Sequence, residues 1–303
     1  MELIRQITAD FRQLALTELA HTVCELLEWK RPNGKLKSRE CYSFLQTLQG
    51  QGELPWLPAP RAKARGGHQT RLNVASDPQQ RCEGALRQWL PVSLELVDTA
   101  SDRKLFEQYI ERYHYLGYRV PFGAQLRYLM RSGQQNQPVL GCLLYTSGAW
   151  KMAPRDSYIG WSQPARVRNL PRVINNSRFL ILPWVRIANL ASHVLSMASK
   201  RLVEDWRAWY GVEPVLMETL VDRSRYAGTC YRAANWISVG MTQGRGRMDR
   251  SRQAEGPEKE IFLHPLRRGW QSQLCDTERS LSLDDHRQAQ HDQEQARQRQ
   301  EEE

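Results

Sequence analysis

The chain has 303 residues and a formal net charge of +10 at pH 7, and hydrophobic residues make up 41% of it. This composition excludes a disordered chain and is enough for one large domain with a smaller one. The positive charge favours a polyanionic partner, nucleic acid ahead of a membrane surface. The six cysteines contain no CxxC pair, so they form neither a disulfide framework nor a zinc-ligand pattern.

The sequence predicts a cytoplasmic protein with reduced thiols. The first residues show no basic region followed by an apolar stretch, so we expect no secretory signal. The longest apolar run, near residues 179–185, is far too short to cross a membrane.

Residues 1–57 are predicted to form a small helical unit. Apolar residues recur at helical spacing from Leu14 to Leu27, a Pro-Asn-Gly turn follows, and Ser38 is a candidate N-cap for a second helix. Two helices around a polar turn indicate a helix-turn-helix or winged-helix-like unit. The turn carries five cations that could contact DNA phosphates or form a solvated loop: Lys30, Arg31, Lys35, Lys37 and Arg39.

Residues 58–91 are predicted to be a basic linker, because Pro58, Pro60, Gly66 and Gly67 disfavour regular structure. Such a segment could close over a nucleic-acid backbone or serve as a plain tether. Residues 271–303 are rich in charged and amide side chains, which predicts a polar disordered tail.

Residues 92–270 are predicted to be an α/β (α+β) domain with a mixed sheet and helices on both faces. The predicted elements in order are strand 92–97, helix 102–115, strands 124–131 and 139–147, short helix 162–173, strand 179–185, helix 187–210, strand 215–221, short helix 228–234, and strands 236–243 and 261–265.

This succession resembles the GNAT (N-acetyltransferase-like) fold, with helix 187–210 as its central helix. Acetyltransferases of this fold hold the CoA pyrophosphate on glycine-rich backbone amides where the central helix begins. Residues 185–191 contain no glycine, which argues against CoA. The sequence therefore assigns no cofactor and leaves open whether the protein is an enzyme.

Candidate catalytic residues lie at two places. Glu218 and Asp222 are four apart on a predicted strand and share a face, where they could hold a metal or divide acid and base roles. Alternatively, Asp222 starts a turn or pairs with Arg223 or Arg225. His114 could act as a general base with a pKa near the working pH, or cap the end of its helix. No third ligand marks a metal site.

Aromatic and basic residues between positions 223 and 247 could bind a single strand or a flipped base. Tyr226, Tyr231 and Trp236 could stack on unpaired bases, and Asn235 lies among them. Arg223, Arg225, Arg245 and Arg247 could hold the nucleic-acid backbone. Alternatively, Tyr231 and Trp236 pack in the core.

Several motifs in one order resemble the DruA protein of Druantia anti-phage systems, a domain also found at the N-terminus of some transposase-like proteins. The resemblance extends from Leu14 to about Leu266. Its motifs are HYLG at 114–117, APRDSYIGW at 153–161, NNSRFLILPW at 175–184, NLASHVL at 189–195, ETLVD at 218–222, GTCYRAANW at 228–236 and GRGR at 244–247.

The resemblance implies a prokaryotic protein of phage defence or mobile-element DNA processing. Its partners would be DNA and either helicase-like defence proteins or a transposase, with no membrane. We therefore predict a DNA-binding component of a Druantia-like or transposition-related system. One alternative is a GNAT-like enzyme that modifies a nucleobase or another acceptor, and another is an interaction scaffold without a ligand.

Overall fold

The computed structural model describes residues 1–11, 14, 16–29, 31, 36–54, 56–57, 70–121, 124–134, 136–242 and 257–277. The helices are α1 (Glu2–Asp10), α2 (Leu16–Leu26), α3 (Ser38–Gly50), α4 (Ala100–Tyr113), α5 (Ala153–Ile159), α6 (Gln163–Asn169), α7 (Leu190–Tyr210), α8 (Thr229–Ala233) and α9 (Trp270–Cys275). The strands are β1 (Cys82–Ala85), β2 (Val92–Leu96), β3 (Gln125–Ser132), β4 (Val139–Ser147), β5 (Val173–Ile181), β6 (Val185–Ala188), β7 (Leu216–Asp222), β8 (Ile237–Met241) and β9 (Lys259–Pro265).

The main sheet has seven strands in the order β2-β3-β4-β5-β7-β9-β8. Neighbouring strands are antiparallel except β5 and β7, which are parallel. The predicted mixed sheet with flanking helices is confirmed, and its strand succession is GNAT-like. A second sheet, the parallel pair β1 and β6, was not predicted.

Alternate residues of β7 and β9 face two different cores, as the two-residue period of a strand requires. Met217 and Phe262 join the core that contains the buried side of α7, whereas Leu216 and Ile261 join the core that contains α5, α6 and α9. The sheet is therefore covered on both faces around its central strands. None of the helices described is long and apolar enough to cross a bilayer.

The strand predicted at 179–185 is wrong in its boundaries. The observed β5 covers Val173–Ile181, because the polar residues 175–178 belong to the strand although they hid its pattern. Pro183 follows β5, and the chain then forms β6 beside β1 instead of continuing the main sheet. The central helix α7 consequently begins at Leu190, three residues after its predicted start at 187.

The predicted linker is folded over residues 70–91, which corrects the expectation that the segment lacks regular structure. A turn of 3-10 helix at Val74–Ser76 packs beside α4, and the strand β1 pairs with β6. The Tyr113 hydroxyl donates to the Ser76 carbonyl at 2.8 Å, and the Asn73 amide donates to Gln108 Oε1 at 3.2 Å. Elements of three or four residues are too short to produce a periodic signal. Residues 58–69 lie outside the described residues.

The N-terminal unit is helical, as predicted, and contains α1 in addition to the two expected helices. Ser38 is the first residue of α3 rather than a side-chain N-cap. The connection between α2 and α3 spans residues 27–37, which is longer than the turn of a typical helix-turn-helix. The assignment of this unit as helix-turn-helix-like therefore stays a prediction. Val167 of α6 packs into the core of this unit, which therefore contacts the α/β domain.

Candidate functional site

The parallel strands β5 and β7 separate from each other at the middle of the sheet. They are paired only where Val173–Asn175 runs beside Leu216–Glu218, and beyond that point no ladder joins them. In the pairing of β4 with β5, the register shifts between Leu144 and Tyr145. Ser177 therefore has no opposite residue on β4. The backbone pairing of β5 with β7 therefore stops before Asn176 on β5 and Thr219 on β7, which leaves a gap between the two strands.

Tyr231 of α8 fills this gap. Its hydroxyl donates to Asn176 Oδ1 at 2.9 Å, while the Thr219 hydroxyl donates to the Asn176 carbonyl at 2.9 Å. The Tyr231 ring packs on Phe262 and on Trp236, with centroid distances of 5.7 and 5.1 Å. Tyr231 and Trp236 are only 7% and 4% exposed, so neither offers a face to a base. Both side chains pack in the core, which was the alternative to stacking on a base.

Glu218 is enclosed by protein groups rather than open to a substrate. Its side chain is 0% exposed, and Oε1 accepts from the Ala149 amide at 2.6 Å while Oε2 accepts from Arg155 Nη1 at 2.7 Å. Arg155 also binds Asp156 at 2.7 Å, and Asp156 reaches Arg166 at 3.5 Å. These contacts join the insertion to β7 and engage both carboxylate oxygens of Glu218, and its catalytic role stays a prediction.

Asp222 organises the turn that follows β7. Its Oδ1 accepts from the Ser224 amide at 3.0 Å and from the Ser224 hydroxyl at 2.6 Å, and its Oδ2 lies 3.8 Å from Arg225 Nε. The hydrogen bonds from Ser224 lower the pKa of this carboxyl, so it is ionised at neutral pH. These contacts match the alternative in which Asp222 starts a turn and pairs with an arginine. No group of three metal-binding side chains occurs among the residues described.

His114 follows the last turn of α4 and is half-buried. Its Nδ1 accepts a hydrogen bond from the Leu116 amide at 3.2 Å. Burial and the neighbouring Arg178 lower its pKa to about 4, so the ring is neutral at pH 7 with its proton on Nε2. With Nδ1 accepting from Leu116 and the pKa lowered, neither ring nitrogen is a free base near neutral pH, and the role of His114 as a general base stays a prediction.

Tyr115 and Tyr226 form an aromatic contact at the surface beside this turn. Their ring centroids are 5.6 Å apart, and Tyr115 also stacks on His114 at 4.9 Å. The Arg225 guanidinium lies 5.1 Å from the Tyr115 ring centroid. Tyr226 is 53% exposed, so its ring is open to solvent although its neighbours hold it from one side. Tyr226 and Arg225 were predicted from the sequence as site residues, and Tyr115 was not.

Arg178 of β5 is the second residue that the sequence analysis missed as a site residue. Its Nη1 donates to the Ser177 carbonyl at 2.7 Å, and its Nε donates to the Gly117 carbonyl at 3.4 Å. Burial lowers its pKa, as does the nearby Arg119, whereas Tyr115 raises it. We call Tyr115, Arg178, Arg225 and Tyr226 the aromatic–arginine cluster. The signal was available in the polar run 175–178, which is unusual inside a buried strand.

Arg223 and Arg232 share one carboxylate and are partly neutralised. Arg232 Nη2 binds both oxygens of Glu260 at 2.7 and 2.9 Å, and Arg223 Nη1 lies 3.1 Å from Glu260 Oε2. Asn235 is exposed with a φ of 62°, a left-handed conformation at the end of α8. Arg223 therefore carries less free charge than the sequence suggested, and Asn235 serves the turn between α8 and β8.

The cations predicted to contact the DNA backbone are only partly described. Arg31 binds Glu40 at 2.6 Å, which offsets its charge. Lys37 precedes the first turn of α3 and Arg39 is exposed within it. Lys30, Lys35, Arg245 and Arg247 lie outside the described residues. Their predicted contacts with nucleic acid stay predictions.

The start of α7 offers no glycine-lined cradle for a pyrophosphate. The helix follows β6 directly, and Asn189 enters it in a left-handed conformation with a φ of 63°. Residues 185–190 contain no glycine, the residue that lets a phosphate approach the backbone closely. The mixed sheet and its flanking helices define an α/β protein of GNAT-like fold.

A family model for Druantia protein DruA matches residues 53–255. The chain therefore belongs to the Druantia DruA family, and this membership supports a role in anti-phage defence. No curated protein matches the sequence.

The solved structures that are similar include spermidine N-acetyltransferase from Vibrio cholerae in complex with CoA and spermine, at 9% identity and a TM-score of 0.37, covering 61% of this chain and 98% of that one. A chimera of the Vibrio cholerae enzyme SpeG is 8% identical with a TM-score of 0.39, covering 60% of this chain and 97% of that one. An Acinetobacter baylyi ADP1 protein described as an acetyltransferase is 15% identical with a TM-score of 0.31, covering 46% of this chain and 63% of that one.

Proposed function

We propose that this protein is a DNA-binding component of Druantia anti-phage defence, working in the cytoplasm with helicase-like proteins of the same system. Family membership supports the defence role. The observation that carries the DNA-binding role is the aromatic–arginine cluster, in which the exposed Tyr226 ring contacts Tyr115 and the Arg225 guanidinium lies over the Tyr115 ring. The net charge of +10 adds a long-range attraction for a polyanion.

The cluster offers the two kinds of contact that nucleic acids need. Guanidinium groups bind phosphate oxygens and release condensed counterions, which gives affinity without sequence preference. Aromatic rings stack on bases of any sequence. The enzymatic alternative has less support, because Glu218 is enclosed by Arg155 and Ala149 and His114 has no free basic nitrogen.

Binding of labelled DNA to the full chain, measured by fluorescence anisotropy at 50 and 200 mM salt, tests the proposal. If the protein neutralises about four phosphates, affinity should fall on the order of 100-fold between the two salt concentrations. Binding that is absent at low salt, or that does not change with salt, would refute the DNA-binding role.

A matched pair of arginine variants locates the binding surface. Arg225 lies 3.8 Å from Asp222, and Arg201 on α7 forms a comparable exposed pair with Asp205 at 2.9 Å. Arg225→Gln should weaken DNA binding severalfold and reduce the salt dependence, because one phosphate contact is lost. Arg201→Gln removes the same charge elsewhere and should change binding little. Equal effects would show that only net charge matters.

The defence role is tested in cells that carry the complete Druantia system. Tyr226→Ala should raise the plating efficiency of a phage that the system restricts, whereas Tyr158→Ala should not. Tyr158 is a suitable control, because it is 41% exposed and stacks on Trp270 far from the cluster. Full resistance with the Tyr226 variant, at normal protein levels, would separate the cluster from defence.

A further inference from the structure

We propose that the aromatic–arginine cluster is a site for one unpaired nucleotide of a nucleic-acid strand, with its phosphate on Arg178 and its base on Tyr226. This inference rests on the proposed DNA-binding function and specifies its ligand as single-stranded rather than duplex. Arg178 lies on β5 beyond its last pairing with β7, and Tyr226 follows the end of β7 and contacts Tyr115.

The guanidinium of Arg178 is held in place with part of its donor set unused. Two backbone carbonyls, of Ser177 and Gly117, accept from Nη1 and Nε. A guanidinium has five N–H donors in a planar fork, so the Nη2 group remains for a ligand. Among the residues that the structure describes, Nη2 has no hydrogen-bond acceptor. A guanidinium fixed by its own backbone is preorganised for an oxygen-rich anion.

The charge balance around Arg178 also favours an anion. No carboxylate of the described chain lies within ion-pair distance of it, and the neighbouring Arg119 is a further cation. A half-buried cation without a counter-charge is unfavourable, so a phosphate that enters the site is stabilised there. The Asp222 carboxylate is engaged by Ser224 and Arg225, and the Glu111 carboxylate accepts from the Tyr118 amide at 2.7 Å.

His114 supplies a second donor without adding charge. Its Nδ1 is occupied by the Leu116 amide, so the proton of the neutral ring is on Nε2. Arg178 lies near this turn, because its Nε donates to the Gly117 carbonyl at 3.4 Å and the Gly117 amide donates to the His114 carbonyl at 2.8 Å. A neutral ring N–H can donate a hydrogen bond to a phosphate oxygen.

The base would rest on Tyr226. This ring is exposed on one side and supported on the other by Tyr115, which itself stacks on His114. Arg178 donates to the carbonyl of Gly117, two residues along the chain from Tyr115, and Tyr115 contacts Tyr226, so we place the phosphate and base positions next to each other. In duplex DNA both faces of each base are covered by neighbouring base pairs, and only an unpaired base can stack on a tyrosine.

The test compares a labelled single-stranded oligonucleotide with a duplex of the same sequence as ligands of the full chain. We expect preference for the single strand and a roughly ten-fold loss of its binding in Tyr226→Ala, the typical effect of losing one base–aromatic stack. Arg178→Gln should cause a comparable loss, and Tyr158→Ala and Arg201→Gln should bind as the parent chain does.

An oligonucleotide that carries abasic sites distinguishes a direct role from a folding defect. Without bases there is nothing to stack, so Tyr226→Ala should no longer weaken binding, whereas Arg178→Gln should still do so. If Tyr226→Ala weakens abasic and normal strands equally, or if the duplex competes as well as the single strand, the inference is overturned. A chain that binds neither ligand refutes the proposed function as well, whereas duplex binding unaffected by both variants refutes only this inference.

Discussion

The guanidinium of Arg155 and the carboxylate of Glu218 form an ion pair of 2.7 Å in which both side chains are fully buried. The pair connects α5, in the insertion after β4, to the middle of β7. Arg155 Nη1 also donates to the Ala149 carbonyl at 2.6 Å, so the same group fixes the entry of the insertion. The strand that leads to the aromatic–arginine cluster is thereby attached to the insertion.

Arg155→Met should destabilise the protein by about 3–5 kcal/mol, because it leaves the charge of Glu218 buried without its partner. Urea denaturation followed by circular dichroism measures this loss. The exposed pair of Arg81 and Glu83, 3.9 Å apart, provides the control, and Arg81→Gln should change stability by less than about 1 kcal/mol. Equal effects of the two variants would contradict a structural role for the buried pair.

Tyr231→Phe should destabilise the protein by about 1–2 kcal/mol, because it leaves Asn176 Oδ1 without a donor in a buried position. The ring itself keeps its contacts with Phe262 and Trp236, so the loss reports the hydroxyl alone. Thermal or urea unfolding measures it. Tyr158→Phe removes an exposed hydroxyl and should be neutral; an equally neutral Tyr231 variant would show that the hydroxyl does not join β5 to β7.

Stability should fall with pH between about 6.5 and 4 in a way that depends on His114. The folded state lowers the pKa of this ring from 6.5 to about 4. The unfolded chain therefore binds a proton that the folded chain rejects, and stability is lost as pH falls through this window. The contribution is about 3 kcal/mol at most. His114→Asn should show a shallower decline between pH 6.5 and 4; identical slopes would contradict the lowered pKa.

Gly228 has a positive φ and no room for a Cβ atom, whereas Gly160 has a positive φ and open space around it. Comparing the two separates backbone strain from steric overlap. Both have left-handed backbones, with φ of 72° and 79°. A Cβ at Gly228 would lie 2.8 Å from the Phe262 ring, whereas one at Gly160 would meet nothing within 4 Å. We expect Gly160→Ala to cost about 1–2 kcal/mol and Gly228→Ala about 1–3 kcal/mol more, measured by urea unfolding. A milder effect at Gly228 would contradict the close packing of α8 on β9.

Local sequence patterns were enough to predict most elements of the α/β domain. The observed β4 has its predicted bounds, because its apolar residues are flanked on both sides by clear turn signals. The strand β5 was misplaced, since Asn175, Asn176 and Arg178 interrupt its apolar pattern. Those polar residues are tolerated because Tyr231 and Thr219 bind the Asn176 side chain and backbone. Such compensation comes from residues distant in sequence and cannot be read locally.

The sequence indicated the segment after β7 as a candidate site, and that assignment stays a prediction. The segment after β7 does contain the exposed Arg225 and Tyr226, as expected. The burial of Tyr231 and Glu218 was not foreseeable, because it depends on Phe262 and Arg155, which are far away along the chain. Arg178 and Tyr115 belong to other elements, and only the fold brings them beside Tyr226. Side-chain type therefore indicated the kind of chemistry, and tertiary structure decided which residues are available for it.

The short pairing of β5 with β7 has a mechanical consequence. Strands β2 to β5 form one half of the sheet and β7 to β9 the other, and the ladder between the halves ends at Asn175 and Glu218. Beyond that point a single tyrosine hydroxyl and a threonine hydroxyl bridge them. Arg178 belongs to the half that contains β5, and Tyr226 follows β7 in the other half. A strand bound as proposed, with its phosphate on Arg178 and its base on Tyr226, would therefore hold the two halves together.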